Sequence, residues 1–562
     1  MYTTCSKYAV AMLIILLALG SFSVAQSQNR QVGTQFTVTA DPLVPRPSGQ
    51  PCKVDLFSDY QFAFFADSNQ TFQYAPPPDC PGPWAAVVLE VDFSENAGSQ
   101  FDRTASLYIN NTALYFGTTP EPLFTDTNTW HVERDITDYS ALLTSPLPGT
   151  MVLPNCTTDC PPPYNTLNGV FTVSADLEFY PLNGKGKTRP DAVLPLVQPN
   201  GNGYNLPAFL FAPSDQLTTT FTLPANIEQA YLDVVTQGQQ SDEFWYTCVP
   251  DDLTGELQSC GGTAFREAEI SVDGLPAGVA PVYPWIFTGG IDPFLWVPIP
   301  GVQTLDFVPY RVNLTPFAGL LSDGQPHTVA MSVVNVNSQF SVTGTLLLFE
   351  DHGSQQVTGG LLSDNIQPPN PVVTPKLHTN NGNVLGTVTT TSQRKFKVSG
   401  YVNTSHGRVK TTVQQSVDFS NQQGFKITPL VYVQDISQTT PVNSTVTLQQ
   451  GNKSTFGTES FTYPLNLGIT VTFPNGQVVE STTVSQEFEH TVANPSYTST
   501  VDNLVNSKDT LNFITGVNQG ARSSQQYTFT DSSGRAYGCG IATSSNVLKQ
   551  LSSGCKQTIR FK

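Results

Sequence analysis

The sequence predicts an all-β protein built of sandwich domains, and three observations carry that reading. Short runs in which apolar and polar residues alternate recur along the chain, each bounded by Gly, Pro, Asn or Asp, as in half-buried strands joined by turns. Thr, Ser, Val, Gly and Pro abound while only 12% of the 562 residues are charged, a composition of strands and turns. Amphipathic helical periodicity is scarce, and many short strands at regular spacing are the mark of sandwiches.

Taken in order, the first element is not part of the fold. Lys7 precedes the apolar run AVAMLIILLALG, and Ser23-Val24-Ala25 offers the small residues that suit cleavage before Gln26, so residues 1–25 are expected to be an export signal. The run is too short to span a bilayer comfortably, and no later stretch of about 20 apolar residues follows. The mature chain is therefore expected to be secreted, or periplasmic in a bacterium, with no membrane contact after signal removal. A polar, Pro-containing leader covers 26–50. The first β-rich block, 51–185, holds AAVVLEVDF (85–93), RTASLYIN (103–110) and GVFTVSADLEFYP (169–181), and closes at the hydrophilic NGKGKTRP. The second, 186–352, holds AYLDVVTQ (230–237), FREAEISVDG (265–274), HTVAMSVVNV (327–336) and GTLLLFED (344–351). Residues 353–376 read as a linker whose Leu-Leu and Val-Val pairs could pack locally. A Thr/Ser/Gln-rich block, 377–562, opens with a hairpin, FKVSGYVNTSHGRVKTTVQQSVDF.

Removing residues 1–25 takes Cys5 away and leaves eight cysteines, an even number that in an exported chain reads as a disulfide framework. They fall into near neighbours, so the expected pairs are Cys52–Cys80, Cys156–Cys160, Cys248–Cys260 and Cys539–Cys555. Zinc is the weaker reading, since no second Cys or His pair at ligand spacing stands beside any of them. The same cleavage removes Lys7 and no acid, leaving 25 basic residues against 44 acidic ones. Nucleic acid is a poor partner for such a surface and is excluded.

Several familiar motifs are absent. Gly186-Lys187-Thr188 imitates the end of a phosphate loop, but Pro181 stands where that loop needs its first glycine. There is no HExxH and no GxSxG, and the histidines are too scattered to suggest a Ser-His-Asp triad. What remains are carboxylates beside aromatics. SDEFWYTCVPDD (241–252) sets Asp242 and Glu243 against Phe244, Trp245 and Tyr246, where burial would alter an acid's ionisation and flat rings could stack on sugars. A strand end with its aromatics in the core and its acids in water would give the same string. In AFREAEISVDG, Arg266, Ala268, Ile270 and Val272 share the apolar face of a strand, and Glu267, Glu269 and Ser271 the other. Arg266 therefore needs a carboxylate partner or a place at the open mouth of a sandwich. Asp102 precedes the alternating row Arg103, Ala105, Leu107 and Ile109, either as a turn residue or as an acid at a sandwich edge. In VYPWIFTGGIDPFLWVP (282–298), Gly289 and Gly290 allow a turn that presents Asp292 between Trp285 and Trp296, unless the loop buries its aromatics against a sheet.

Taken together, DEFWY (242–246), FRE with its following VDG (265–274), IFTGGIDPFLW (286–296), PYRVNLTPF (309–317) and DGQPH (323–327) resemble the signature segments of the peptide-N-glycanase A family of glycoamidases. The similarity continues upstream in CPGPWAAVVLE, FDR, TPEP and WHVERDITDYSALL and downstream in VNTSHGRVKTTV, covering roughly residues 36 to 560. The resemblance implies two adjacent jelly-roll β-sandwiches, 51–185 and 186–352, plus a C-terminal β-rich domain, with the site in the cleft between the sandwiches. It implies hydrolysis of the amide between an Asn side chain and the first N-acetylglucosamine of an N-glycan, giving Asp and a glycosylamine, at acidic pH without metal or cofactor. The implied partners are N-glycoproteins or N-glycopeptides.

Related bacterial glycoamidases carry an essential aspartate in an Asp-Arg pair that opens a strand of the first sandwich, which Asp102-Arg103 matches. Their assisting glutamate comes from the second sandwich and adjoins a Trp; Glu243 is the candidate here, although Phe244 intervenes before Trp245. On this reading Asp102 is the general base, Glu243 orients water or supplies the proton, and Arg266 donates to the oxyanion. Arg103, Trp245, Tyr246, Glu267, Asp292 and Trp296 are the expected substrate-binding residues. Two rival classes stay open: a non-catalytic glycan-binding sandwich, and a glycosidase that uses the same acids to cut between the sugars of an N-glycan.

Overall fold

The computed structural model describes residues 37–121, 126–182, 184, 188–201 and 203–555. The expected export signal lies outside the described residues. Eight strands build the first domain: β1 (Cys52–Phe62), β2 (Asn69–Tyr74), β3 (Trp84–Glu95), β4 (Thr104–Ile109), β5 (Thr112–Thr118), β6 (Asn128–Asp135), β7 (Leu147–Val152) and β8 (Phe171–Pro181). They form two antiparallel sheets, β1-β8-β3-β6 and β2-β7-β4-β5, the strand order of a jelly roll. Alternation decides which side chains meet between the sheets: Phe171, Val173, Ala175, Leu177 and Phe179 of β8 all turn inward, against Leu107 and Ile109 of β4.

The second domain repeats the plan. A short strand β9 (Ala192–Leu196) and a small hairpin, β10 (Gln198–Asn200) and β11 (Gly203–Asn205), precede β12 (Ala208–Leu210), β13 (Leu217–Thr222), β14 (Ile227–Gln239), β15 (Glu267–Val272), β16 (Leu275–Pro281), β17 (Tyr310–Asn313), β18 (Pro326–Val333) and β19 (Gln339–Glu350). The sheets run β12-β19-β14-β17 and β13-β18-β15-β16, with β9 also paired to β19. Strand for strand this is the order of the first domain.

The rest of the chain is a 13-stranded antiparallel sheet. It is organised on one hairpin of two 22-residue strands, Asn383–Thr404 and Gly407–Thr428, whose turn falls at Ser405 and His406. Residues 353–376 are not a free linker: Thr358–Asp364 and Val372–Asn380 both pair with the Asn383–Thr404 strand. These outer strands are largely exposed, so no apolar alternation marks them, and Pro375 is tolerated there as it is near sheet edges.

The inner face of this sheet is unusually polar, and its amides and hydroxyls grip loops of the second domain. Asn421 Nδ2 donates to the Tyr246 carbonyl (2.9 Å), Gln434 Nε2 to Thr247 (2.9 Å) and Gln423 Nε2 to Cys248 (2.8 Å). Gln486 Nε2 donates to the Pro284 carbonyl (2.7 Å) and Ser507 Oγ to that of Leu295 (2.7 Å). Buried loop carbonyls need such partners, because no strand ladder satisfies them. The N-terminal segment is tied down too, with Val38 and Ala40 packed on Ile299, Cys539 and Ile541. The four disulfides are Cys52–Cys80, Cys156–Cys160, Cys248–Cys260 and Cys539–Cys555, the pairs expected from spacing.

Candidate active site

The two sandwiches meet where β4 begins and β14 ends. Thr104, the first residue of β4, accepts hydrogen bonds at Oγ1 from Gln237 Nε2 (3.1 Å) and Gln239 Nε2 (2.9 Å), joining the domains at this point. Asp102 and Arg103 lie just before it. On the other side β14 runs into a turn, Gln240–Asp242, which projects Glu243. That turn is fixed by its last residue. Asp242 Oδ2 accepts the backbone N–H groups of Asn337, Ser338 and Gln339 (2.9, 2.6 and 3.0 Å), while Oδ1 accepts Arg266 Nε and Nη2 (3.2 and 2.8 Å).

A third carboxylate, Glu121, arrives at the end of the segment after β5. Thr119 holds this segment in place: its N–H donates to the Arg103 carbonyl (2.8 Å), its Oγ1 accepts the Arg103 N–H (2.9 Å), and its carbonyl accepts Thr288 Oγ1 (2.8 Å). Next to Thr288 is Gly289. A Cβ there would stand 2.7 Å from Asp102 Oδ1 and would collide with Glu121 Oε2, so both carboxylates press on the same gap in the backbone. At Gly290 a Cβ would lie 3.2 Å from the Phe244 ring. The two glycines are thus required by close approach of the site's own groups.

Electrostatics follow from this crowding. Burial raises the Asp102 carboxyl to about 6, against a downward pull from Arg103. Glu121 is raised to about 8 by burial and by repulsion from Asp102. Burial, then Asp102 and Glu121, push Glu243 well above the ordinary carboxylate range. Behind them Glu95 is fully buried with both oxygens unpartnered, and burial with Glu121 repulsion raises it too. Arg103 is the cation whose field reaches Asp102, Glu95 and Glu121. Its Nη2 donates to Gln100 Oε1 (2.6 Å), and its guanidinium sits 6.0 Å from the Phe101 ring, which packs edge-on against Tyr164. Carboxyls of this kind titrate as a set, in which the first ionises readily and the others keep their protons.

Asp102, Arg103 and Glu243 therefore come together, as the sequence suggested. The other named residues do not join them. Arg266 is no oxyanion donor: its side chain is inaccessible, and beyond Asp242 its Nη1 donates to the carbonyls of Gly262, Thr263 and Phe265. Trp245 and Tyr246 are core residues, with Trp245 packed on Phe419 of the C-terminal sheet, and neither offers a face to a sugar. Trp296 is buried with Nε1 bonded to the Gly290 carbonyl (2.9 Å). Glu267 pairs with Arg394 of the C-terminal sheet. Asp292 is fully buried, caps the Pro293–Trp296 turn through Phe294 N–H and faces Asp509. In each case the C-terminal sheet or a buried partner occupies the side chain. Glu121 and Glu95 were not singled out, and the half-buried Phe244, noted beside Glu243, was not among the expected site residues; Glu121 belongs to the quoted TPEP string, where only its acid beside Pro could have drawn attention. Among the described residues, two clusters with metal-ligand geometry, Glu90-His131-Glu133 and Glu228-Asp351-His406, lie outside this constellation, and Arg46 already occupies the first.

Fold and geometry together define a double jelly-roll protein with a cluster of carboxyls, raised by burial, at the sandwich joint. The chain belongs to the family described as peptide N-acetyl-beta-D-glucosaminyl asparaginase amidase A, whose model matches residues 42–365; the family's C-terminal domain matches 387–465. It is similar to peptide-N4-(N-acetyl-beta-glucosaminyl)asparagine amidase A of Prunus dulcis, at 29% identity over 409 residues, covering 69% of this chain and 68% of that protein. Among solved structures, PNGF-II is similar at 15% identity and a TM-score of 0.35, covering 54% of this chain and 66% of that one. Recombinant peptide:N-glycanase F is similar at 16% identity and a TM-score of 0.36, covering 54% of this chain and 96% of that one.

Proposed function

We propose that the chain is an exported peptide-N-glycanase that hydrolyses the amide joining an Asn side chain to the first N-acetylglucosamine of an N-glycan. The observation that carries this reading is the convergence of Asp102, Glu121 and Glu243 from two sandwiches beside one cation, Arg103. An amide is a poor electrophile, so the site must activate water, stabilise an oxyanion and protonate the leaving nitrogen. Asp102, the first of the set to ionise, takes a proton from water as the water oxygen bonds to the amide carbon. Arg103, rather than Arg266, supplies positive charge to the oxyanion. Glu243, held protonated, gives its proton to nitrogen as the C–N bond breaks, leaving Asp on the peptide and a glycosylamine on the glycan. Glu121 keeps Asp102 and Glu243 from ionising together, and Phe244 is the apolar wall beside them.

The rate is expected to rise as the set releases its first proton near pH 6 and to fall at the higher pH where Glu243, held well above the ordinary carboxylate range, loses its own. The test is incubation of a defined N-glycopeptide with the mature protein in chelator, followed by mass spectrometry. Conversion of Asn to Asp with an intact glycan released supports the reading. An unchanged glycopeptide would mean a binding module, and one N-acetylglucosamine left on Asn would mean a glycosidase.

A further inference from the structure

Asp292 was singled out by its sequence motif, and the site leaves it unused. It sits in loop 288–296, whose two ends have different neighbours. At one end Thr288 is bonded to the Thr119 carbonyl and Gly289 abuts Asp102 and Glu121. At the other, the loop lies on the C-terminal sheet: Ser507 Oγ donates to the Leu295 carbonyl (2.7 Å), and Asn546 Nδ2 to those of Phe294 (2.6 Å) and Val297 (3.1 Å).

Between these neutral bonds two carboxyls meet side chain to side chain, Asp292 of the loop and Asp509 of the strand Tyr497–Asn512. Asp292 is fully buried and Asp509 is 4% exposed. Asp292 Oδ1 accepts the Phe294 N–H (2.9 Å), but Asp292 Oδ2 and both Asp509 oxygens accept no other well-formed hydrogen bond among the described residues. The remaining titratable groups facing the pair are Glu480, on the neighbouring strand with Oε1 accepting Thr482 Oγ1, and the Tyr432 phenol beside Glu480. The Thr510 N–H and the Asn518 amide are the other polar neighbours of Asp509, and no cation is among these groups. Two ionised carboxylates cannot stay in contact in a dry interface, whereas a carboxylic acid donating to a carboxylate is a strong hydrogen bond.

We propose that Asp292 and Asp509 share one proton across the joint between the second sandwich and the C-terminal sheet, and that this pair holds loop 288–296 against Asp102 and Glu121. The two are positioning residues, and their link to catalysis rests on the amidase reading. The C-terminal sheet then has a role at the site: it fixes one wall of the carboxyl cluster, and does so best in acid. Burial raises both carboxyls, repulsion from Asp509 and Glu480 raises Asp292 further while the contact with Asp292 draws Asp509 down, and burial takes Glu480 to about 7, so docking is complete below the ordinary Asp range and weakens as pH climbs through neutrality.

Hydrogen–deuterium exchange of the full chain, followed on peptides spanning 286–297 and corrected for intrinsic rates, tests this without reference to activity. In the wild type, exchange should rise by at least about tenfold between about pH 5 and about pH 8. In Asp509→Asn, whose amide donates to Asp292 at any pH, the rise should be under about threefold, with Asp292→Asn as the second variant. Equal protection of the wild type at both pH values, or an undiminished rise in Asp509→Asn, would overturn the proposal. With glycopeptide, Asp509→Asn should extend kcat to higher pH and leave KM within about twofold; a merely structural contact would not move that limb. Exchange as expected with no cleavage by any form would uphold the docking and sink the amidase reading.

Discussion

Replacing Asp102 by Asn keeps its shape and removes the base, so kcat on an N-glycopeptide should fall by roughly 10²–10⁴-fold with KM little changed. The geometry makes a second demand at Gly289, because both Asp102 and Glu121 occupy the space where a Cβ would go. Gly289→Ala should therefore displace the two carboxylates and cost about 10²-fold in kcat, with thermal stability read alongside. Arg266 is the contrasting case. Its contacts are all internal, so Arg266→Leu should destabilise the fold by about 3–5 kcal/mol, visible as a lowered melting temperature, by leaving Asp242 buried and unpaired. At this scale the sequence showed which residues are acids, and the family resemblance, not the strand pattern alone, singled out Asp102 and Arg103, which the structure places beside Glu243. The resemblance named Glu243 and not Asp242, and the physical reason Asp242 is an anchor lies in the three N–H groups of 337–339, which the sequence does not show.

Strands were the most legible elements. The row Ala105, Leu107, Ile109 lies in β4 with Arg103 just before it, and Ala268, Ile270, Val272 is the core face of β15 with Arg266 just before it. Loops were not, because their conformation is set by distant groups. The segments 245–248 and 284–302 hold Trp245, Tyr246 and Trp296, which looked like sugar platforms; Asn421, Gln423, Gln434 and Gln486 pull these segments against the C-terminal sheet and bury the rings. Gln434→Leu removes a donor to Thr247 and to Gln423 Oε1, leaving two buried acceptors short. It should cost about 1–3 kcal/mol per unsatisfied acceptor, measured by calorimetry, and lower kcat through the neighbouring Glu243. The Thr/Ser/Gln-rich composition of the last block, 377–562, which left open an accessory binding domain or a cover for the second sandwich, is in physical terms an array of donors for the second domain's loops.

Taken as a whole, the molecule carries many carboxyls that prefer their protons when folded. Asp41, Asp102 and Asp176 are raised to about 6, Glu480 to about 7, and Glu121 and Glu267 to about 8, with burial the first cause in each. A group raised on folding leaves stability intact below its unfolded value and subtracts from it as pH rises through the folded one. Glu133, lowered to about 2 by His131 and Arg46 against burial, acts oppositely and only in strong acid. The melting temperature should therefore be highest near pH 5 and fall steadily to pH 8, as a scanning calorimetry series would show. The all-β class and the disulfide pairs were readable because period and spacing are local properties. The contacts that dock the C-terminal sheet on the second sandwich were not, since they join residues as far apart as Leu295 and Ser507.

Hydrolysis of the glycan–asparagine amide by carboxyls from two sandwiches is tested most directly by cleavage of one N-glycopeptide in ¹⁸O-labelled water by wild type and Asp102→Asn. One ¹⁸O is expected in the new Asp side chain, with none in the peptide backbone, a glycan released as its amine, and labelling by the variant slowed by roughly 10²–10⁴-fold. Label on the glycan's reducing carbon with Asn unchanged, or undiminished labelling by Asp102→Asn, would contradict it.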